Sequence, residues 1–421
     1  MAANSPVSAL PPDAQTLFNR GLDRLKSGNW KDALSDFTEA IKLRPDVAVG
    51  YRFRAYAHAD GGNVARAIAD LDEAIRLNPD DSQSYYDRAQ YFLRQKQYDE
   101  ALRDCIKGLG IDGARADLIA LRGRVHAARG ASEPAEADFT KAIEIDPEGA
   151  GDYLLWRGDL YLECDDNDKA IGDFTEAINR RPENAYAYSR RASAHWAVRD
   201  TDAALADYAK AIELDPEWPW VRNGRGLVYA DRGEHEAAVA DFNEAIRLNA
   251  NHGPSYEYRG ESLCKLGRKA EALADFNEAI RLNPDSARLH NRRAMFHYYN
   301  RDFSKAVRDH MEALKREPNL ATTFNYIGWV YSTAPDPRVR NGRRALECAT
   351  RACELTEWLT PGYLDTLAAA HAELGQWSDA LKWVHKAVEL ATDDDARDEY
   401  ASRIDLFENR QPLRVTPEPG K

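Results

Sequence analysis

The chain has 421 residues, with 57 Lys and Arg against 70 Asp and Glu, a formal net charge of -13. That balance disfavours a nucleic acid or an anionic membrane surface as the main partner. No apolar run approaches the roughly 20 residues of a membrane span, and length alone suggests two or three domains. The five cysteines, Cys105, Cys164, Cys264, Cys348 and Cys353, are odd in number and form no CxxC pair, so they read as reduced core or surface thiols.

Residues 1 to 13, MAANSPVSALPPD, are small, polar and proline-containing, and are expected to be a disordered leader. They carry no basic-then-apolar secretory pattern. The expected compartment is therefore the cytoplasm, although a mature secreted or periplasmic chain without its signal would read the same.

From Ala14 onward the chain repeats. The ten residues ADFNEAIRLN occur from Ala240 to Asn249 and again, 34 positions later, from Ala274 to Asn283. Slid against itself at that period, the chain aligns a closing proline at Pro45, Pro79, Pro147, Pro182, Pro216, Pro284 and Pro318. Gly113 and Ala250 fill the same slot in two other units, and twelve residues before each slot stands an alanine: Ala33, Ala67, Ala101, Ala135, Ala170, Ala204, Ala238, Ala272 and Ala306. Phe, Tyr, Leu, Cys or His follows four residues on, and a second small residue three further, which is one closely packing face of a helix. Breakers such as Ser27-Gly28-Asn29 and Asp231-Arg232-Gly233 divide each unit into a helix A and a helix B, and the proline stops helix B.

With this period and pattern the chain resembles the tetratricopeptide repeat family over almost its whole length. Eleven units are expected, at 14–47, 48–81, 82–115, 116–150, 151–184, 185–218, 219–252, 253–286, 287–320, 321–360 and 361–394. A capping helix at 395–408 and a flexible tail at 409–421 follow. The stretch from Gly342 looks like an end module of bacterial multi-repeat proteins of this family, which points to a bacterial source. The resemblance implies an all-α fold, a right-handed superhelical solenoid of helix-turn-helix units, in which each unit buries its apolar face only against its neighbours.

At the seventh position of helix A, where the family often has leucine, nine units carry Arg20, Arg54, Arg88, Arg122, Arg157, Arg191, Arg225, Arg259 and Arg293. A comb of arginines suggests a phosphate track. The same nine units, however, carry Asp36, Asp70, Asp104, Asp138, Asp173, Asp207, Asp241, Asp275 and Asp309 just before the aromatic slot of helix B. Both residues are lost together in the last two units, as Ile327 with Cys348 and Leu367 with Trp383. Paired presence and absence predicts bidentate ion pairs that set register more than stability.

No glycine-rich phosphate loop, HExxH or GxSxG occurs, and no cofactor or metal is expected. The stretch from Asp165 to Glu176 mimics a calcium loop, but Lys169 and Ala170 replace an oxygen ligand and the required glycine. Histidines at His58, His126, His195, His297 and His371 recur at position eleven of helix A and read as interface residues.

The resemblance further implies that the A helices line a concave groove, with positions two, five, nine and twelve projecting into it and thirteen at its edge. Those slots define three zones. Asp117, Asp152, Asp159 and Glu163, with Arg124 as the exception, form an acidic stretch that favours a basic partner segment. Tyr186, Ser189, Ser193, Trp196, Trp220 and Asn223 form a second zone, and Arg288, Asn291, Met295, Tyr298, Tyr299, Asn325 and Trp329 a third. Grouped aromatics mark interfaces, and asparagine both donates to and accepts from a peptide backbone. The slots do not reproduce the clamp by which chaperone adaptors of this family hold a C-terminal carboxylate. A five-residue insertion in Ser332 to Arg344 adds Arg338, Arg340, Arg343 and Arg344, read as a solvated loop ahead of an anion contact.

The expectation is a non-catalytic scaffold that binds a protein or peptide segment in its groove. A self-assembling solenoid, and nucleic-acid or phosphate binding through the arginine comb, are the alternatives.

Overall fold

The structure, a computed structural model, describes residues 12–415. The leader expected at 1–13 therefore lies almost entirely outside the described residues. Those residues form twenty-three α-helices and no strand. They fall into two compact units, Met1–Pro216 and Glu217–Lys421.

The first unit holds α1 Pro12–Lys26, α2 Trp30–Leu43, α3 Ala48–Asp60, α4 Val64–Leu77, α5 Ser82–Arg94, α6 Tyr98–Ile111, α7 Ala116–Ala128, α8 Ser132–Ile145, α9 Ala150–Glu163, α10 Asn167–Arg180, α11 Ala185–Ala197 and α12 Thr201–Leu214. The second holds α13 Pro219–Asp231, α14 His235–Leu248, α15 Gly253–Lys265, α16 Lys269–Leu282, α17 Ala287–Tyr299, α18 Phe303–Arg316, α19 Ala321–Thr333, α20 Gly342–Leu355, α21 Pro361–Glu373, α22 Trp377–Leu390 and α23 Asp394–Glu408. Helices pair in sequence as hairpins, α1 with α2 through α21 with α22, and within each unit each hairpin packs on the next.

Local chemistry explains the boundaries. Asn29, Asn63, Asp200 and Asp302 accept a backbone N–H of the following helix, satisfying donors that a helix N-terminus leaves open. Each tight turn inside a hairpin places one residue in the left-handed region, at φ between 59° and 80°. Six of these are glycines, and Lys96, Asp165, Arg199 and Arg301 hold the others.

The core is a line of alanines and aromatics. Ala33, Ala67, Ala101, Ala135, Ala170, Ala204, Ala238, Ala272 and Ala306 are fully buried, and beside them sit Phe37, Phe139, Phe174, Phe242 and Phe276. Each such phenylalanine is worth roughly 2–3 kcal/mol of burial. Its ring meets a glycine that follows the comb arginine of helix A. A Cβ at Gly21, Gly158 or Gly226 would lie 2.7 Å from the ring of Phe37, Phe174 or Phe242, at Gly123 2.9 Å from Phe139, and at Gly260 3.1 Å from Phe276. Where the helix B slot is Leu71, Cys105, Tyr208 or His310, the matching position is Ala55, Ala89, Ala192 or Ala294. Ring and missing methyl group are thus matched hairpin by hairpin.

The chain end differs from expectation. The tail expected to be flexible from Asn409 is held in part: Val415 N–H donates to the Thr333 carbonyl (3.0 Å), Arg414 Nη1 to the Ser332 carbonyl (3.2 Å), and Leu413 joins the apolar cluster around Phe407. The basic insertion is also tied down. Arg340 donates to the Ala334 and Pro335 carbonyls and to Glu373, and Arg338 pairs with Asp336, so these two arginines spend their charge within the fold.

Candidate functional site

The arginine comb is structural chemistry. In all nine hairpins Nε and Nη2 donate to the two carboxylate oxygens of the aspartate 16 residues on, at 2.6–3.0 Å. Planar fork meets planar carboxylate, the most directional ion pair available to side chains. In five hairpins the remaining Nη1 reaches the preceding helix B: Arg88 to Asp72, Arg157 to Thr140, Arg191 to Thr175, Arg259 to Asn243 and Arg293 to Asn277. One guanidinium thus ties three helices. His58, His126, His195 and His297 bring Nε2 within 3.8–4.0 Å of the same aspartates. Burial holds His58, His126 and His297 below the usual imidazole range despite that carboxylate, so they pack as neutral rings.

In the first unit the acidic zone is largely neutralised. Arg115 grips Asp117 with two hydrogen bonds, Arg181 pairs with Asp152 at 2.9 Å, and Asp159 accepts from Arg190 Nε at 2.6 Å and from the Tyr186 hydroxyl at 2.5 Å. The free acidic surface expected to attract a basic segment is therefore reduced to Glu163, which borders a cleft of about 240 Å³ with Arg124, Trp156 and Asp159. Arg124 lies over the Trp156 ring at 4.7 Å. Ser189 and Ser193 are also engaged, the first with the Tyr186 carbonyl and the second with the Tyr208 hydroxyl, and Trp196 is half-buried.

The second zone divides between the units, with Tyr186 to Trp196 in the first and Trp220 and Asn223 in the second. Asn223 has its amide oxygen engaged within the fold. It is 7% exposed, and its Oδ1 accepts from Ser255, which in turn contacts His252 at 2.6 Å. Trp220 stands edge-on to His252 at 4.1 Å but leaves 57% of its surface open.

The third zone lies wholly in the second unit and is brought together. Tyr298 accepts from Trp329 Nε1 at 3.0 Å and packs against Tyr299, Phe303 and Tyr326. Tyr299 is 74% exposed. Asn291 is spent internally, donating to Thr323 and meeting His310 Nδ1, whereas Asn325 has a buried Oδ1 with no hydrogen-bond partner. Met295 and Asn291 line a cleft of about 310 Å³ with Arg288, Arg292, Glu317 and Leu320. Arg288 and Arg292 pair in turn with Glu257 and Glu261 of α15.

Several functional neighbours escaped the sequence reading: Arg190, Arg292, Tyr326 and Trp156. For the two arginines a signal was present in the spacing. Side chains on successive A helices meet at a separation of 31, as in Arg190 with Asp159, Arg292 with Glu261 and Trp329 with Tyr298. The slots read singly concealed these pairs.

The tetratricopeptide repeat family model matches residues 18–81 and 54–109. The ETO1 C-terminal domain model matches 145–334, and the anaphase-promoting complex subunit 5 model 363–399. No curated protein matches the chain. Among solved structures, the human IFIT1 dimer with m7Gppp-AAAA is 15% identical, covering 91% of this chain and 96% of that one at a TM-score of 0.50. Yeast Tom70 is 16% identical over 94% and 96%, with a TM-score of 0.43. A tetratricopeptide repeat protein from Parabacteroides merdae is 20% identical over 56% and 93%, at 0.47. No described helix is long and apolar enough to cross a membrane. Taken with the 34-residue period and the helical hairpins it produces, the family match over residues 18–109 supports a tetratricopeptide repeat protein.

Proposed function

We propose that the protein is a non-catalytic interaction scaffold that holds an extended or helical segment of a partner protein against its A helices, chiefly at α17 and α19. The observation that carries this reading is the third zone. An open aromatic ring, Tyr299, stands beside the half-buried Tyr298, Tyr326 and Trp329, next to an asparagine oxygen on Asn325 that lacks a donor. Rigid aromatics supply contact area at low entropic cost, and rotation of the Asn325 amide would bring its unmatched, buried oxygen out to a peptide N–H. Trp220, with its open ring, is a second anchor, and Tyr186 and Trp196 belong to the first unit's own surface.

The comb supports a scaffold more than a nucleic-acid track, since each of its nine guanidinium groups is already matched to a carboxylate. Capture from the source lysate, repeated with a Tyr299→Ala/Asn325→Ala variant of unchanged circular dichroism, tests the site. A partner held by the wild type should bind the variant about ten- to a hundredfold more weakly, the usual range for anchor residues. Equal affinity removes α17 and α19 from the site, and recovery of only the chain itself favours self-assembly.

A further inference from the structure

The last helix packs mainly on α22 and also reaches the A helices α21 and α19. Two side chains of α23 are buried, Arg403 and Phe407, four residues apart and therefore on one face. Arg403 Nη1 lies 3.3 Å from Asp365 Oδ1 of α21, and its guanidinium faces the Trp329 ring of α19 at 5.6 Å. Phe407 fills the space between Ala368, Ala372 and Val384. Asp365 and Trp329 stand at positions five and nine of their hairpins, the slots assigned to partner contact. The chain therefore fills with its own α23 a place shaped for a helix.

That occupancy is built to be reversible. A helix of 15 residues is marginal by itself, and of the apolar side chains this one packs on the fold, Tyr400, Ile404 and Leu406 stay half-exposed and only Phe407 is buried. Asp365 is almost wholly buried, and burial pushes its carboxyl up to about 7 although Arg403 pulls it down, so the ionised pair is held at a cost. We propose that the face made by α19 and α21 is a docking site for an amphipathic helix presenting arginine and phenylalanine one turn apart. α23 holds it in the resting chain, and a partner helix of the same chemistry takes it when α23 lifts away. The inference rests on the A-helix side being the recognition side; the two sites share Trp329 of α19 but not Tyr299 or Asn325.

The test uses the full chain and a fluorescein-labelled peptide of residues 393–415, read by anisotropy. A tethered helix competes at an effective concentration of about millimolar. The Arg403→Ala/Phe407→Ala chain, whose own helix lacks both anchors, should therefore bind the peptide at least tenfold more tightly than wild type. Adding Trp329→Ala should abolish binding, and a peptide carrying the two alanines should not bind. No binding by a folded double variant, equal binding by wild type, or equal binding of the substituted peptide overturns the proposal. If the double variant does not fold, hydrogen exchange on wild type decides: amides of α23 should exchange at least tenfold faster than those of α21, and equal rates overturn it. The Tyr299→Ala/Asn325→Ala chain should bind this peptide as wild type does, so failure of the α17 and α19 site leaves a different signature.

Discussion

The hairpins from α1 to α18 and the two that follow solve one packing problem with opposite chemistry. In the first nine an arginine of helix A and an aspartate of helix B are clamped together, and the aspartates are 2–7% exposed. In the last two the same positions hold Ile327 against Cys348 and Leu367 against Trp383, and the isoleucine and leucine are buried at 1%. The third partner changes as well: the slot that offers Asn243 or Asn277 to a comb arginine holds Met311 before Ile327. Charge is not lost from the end of the chain but displaced to a new pair, Asp365 with Arg403, between a hairpin and the capping helix. The clamp thus serves hairpins that meet copies of themselves, and apolar contact serves those that must accept a different element.

Breaking one clamp gives the largest expected effect. Arg259→Met strands Asp275 and Asn243, and loss of one partner from a mostly buried pair should cost about 3 kcal/mol in thermal unfolding of the second unit. The comparison is sharpened by transplanting the other solution. Arg259→Ile with Asp275→Cys and Asn243→Met reproduces the set found at Ile327, Cys348 and Met311, and should restore more than half of that loss. A triple variant as unstable as the single one would mean that the clamp contributes energy rather than register.

Next in size is the ring and glycine match. Gly226→Ala places a methyl group where the Phe242 ring stands, and overpacking of this kind should cost about 2 kcal/mol. Combining it with Phe242→Leu recreates the pairing of Ala55 with Leu71 and should recover part of the cost. Additive losses would show that the match is incidental.

Two of the charged pairs, Arg20 with Asp36 and Arg403 with Asp365, should also respond to pH with opposite sign. Arg20 holds the Asp36 carboxyl below its ordinary 3.8, with Arg24 adding to the pull, so this clamp stabilises the first hairpin above that pH and is lost as pH falls. Asp365 is raised from 3.8 to about 7, so its contribution to holding α23 is full below 3.8 and is lost as pH rises toward 7. The charged group on α23 that opposes the shift is Arg403, and Glu399 adds to it. Hydrogen exchange of α23, corrected for intrinsic rates, should accelerate at least tenfold from pH 4 to pH 7, each unit of pKa separation being worth a factor of ten. Asp365→Asn should flatten that slope, and a slope that survives the substitution removes Asp365 as its source.

Much of this was legible because the repeat writes its contacts at fixed separations. The 34-residue period located the hairpins, and joint loss of arginine and aspartate in two units revealed the clamp before any coordinates. The acidic zone misled because Asp117, Asp152 and Asp159 were read in their own slots, while the arginines that neutralise them stand in turns or at position six. Asn223 shows a related effect: that its oxygen is taken by a buried Ser255 depends on the next helix, not on its own position. Arg403 carries no repeat signal, since α23 occurs once and nothing in the period predicts what it covers.

The smallest effect tests whether the third contact of the clamp is worth anything. Opposite Arg122 the slot is Ile106, which offers no acceptor and is 54% exposed, so it contributes little burial to defend. Ile106→Asn places there the residue that Asn243 and Asn277 supply to Arg259 and Arg293 at 2.6 and 2.7 Å. A charge-assisted hydrogen bond at a partly exposed position should add about 0.5–1 kcal/mol, offset in part by the entropy of fixing the side chain. Urea unfolding should shift to a higher midpoint with an unchanged slope. A lower midpoint would mean that Ile106 serves its own packing, and that the clamp between neighbouring hairpins is complete with two helices rather than three.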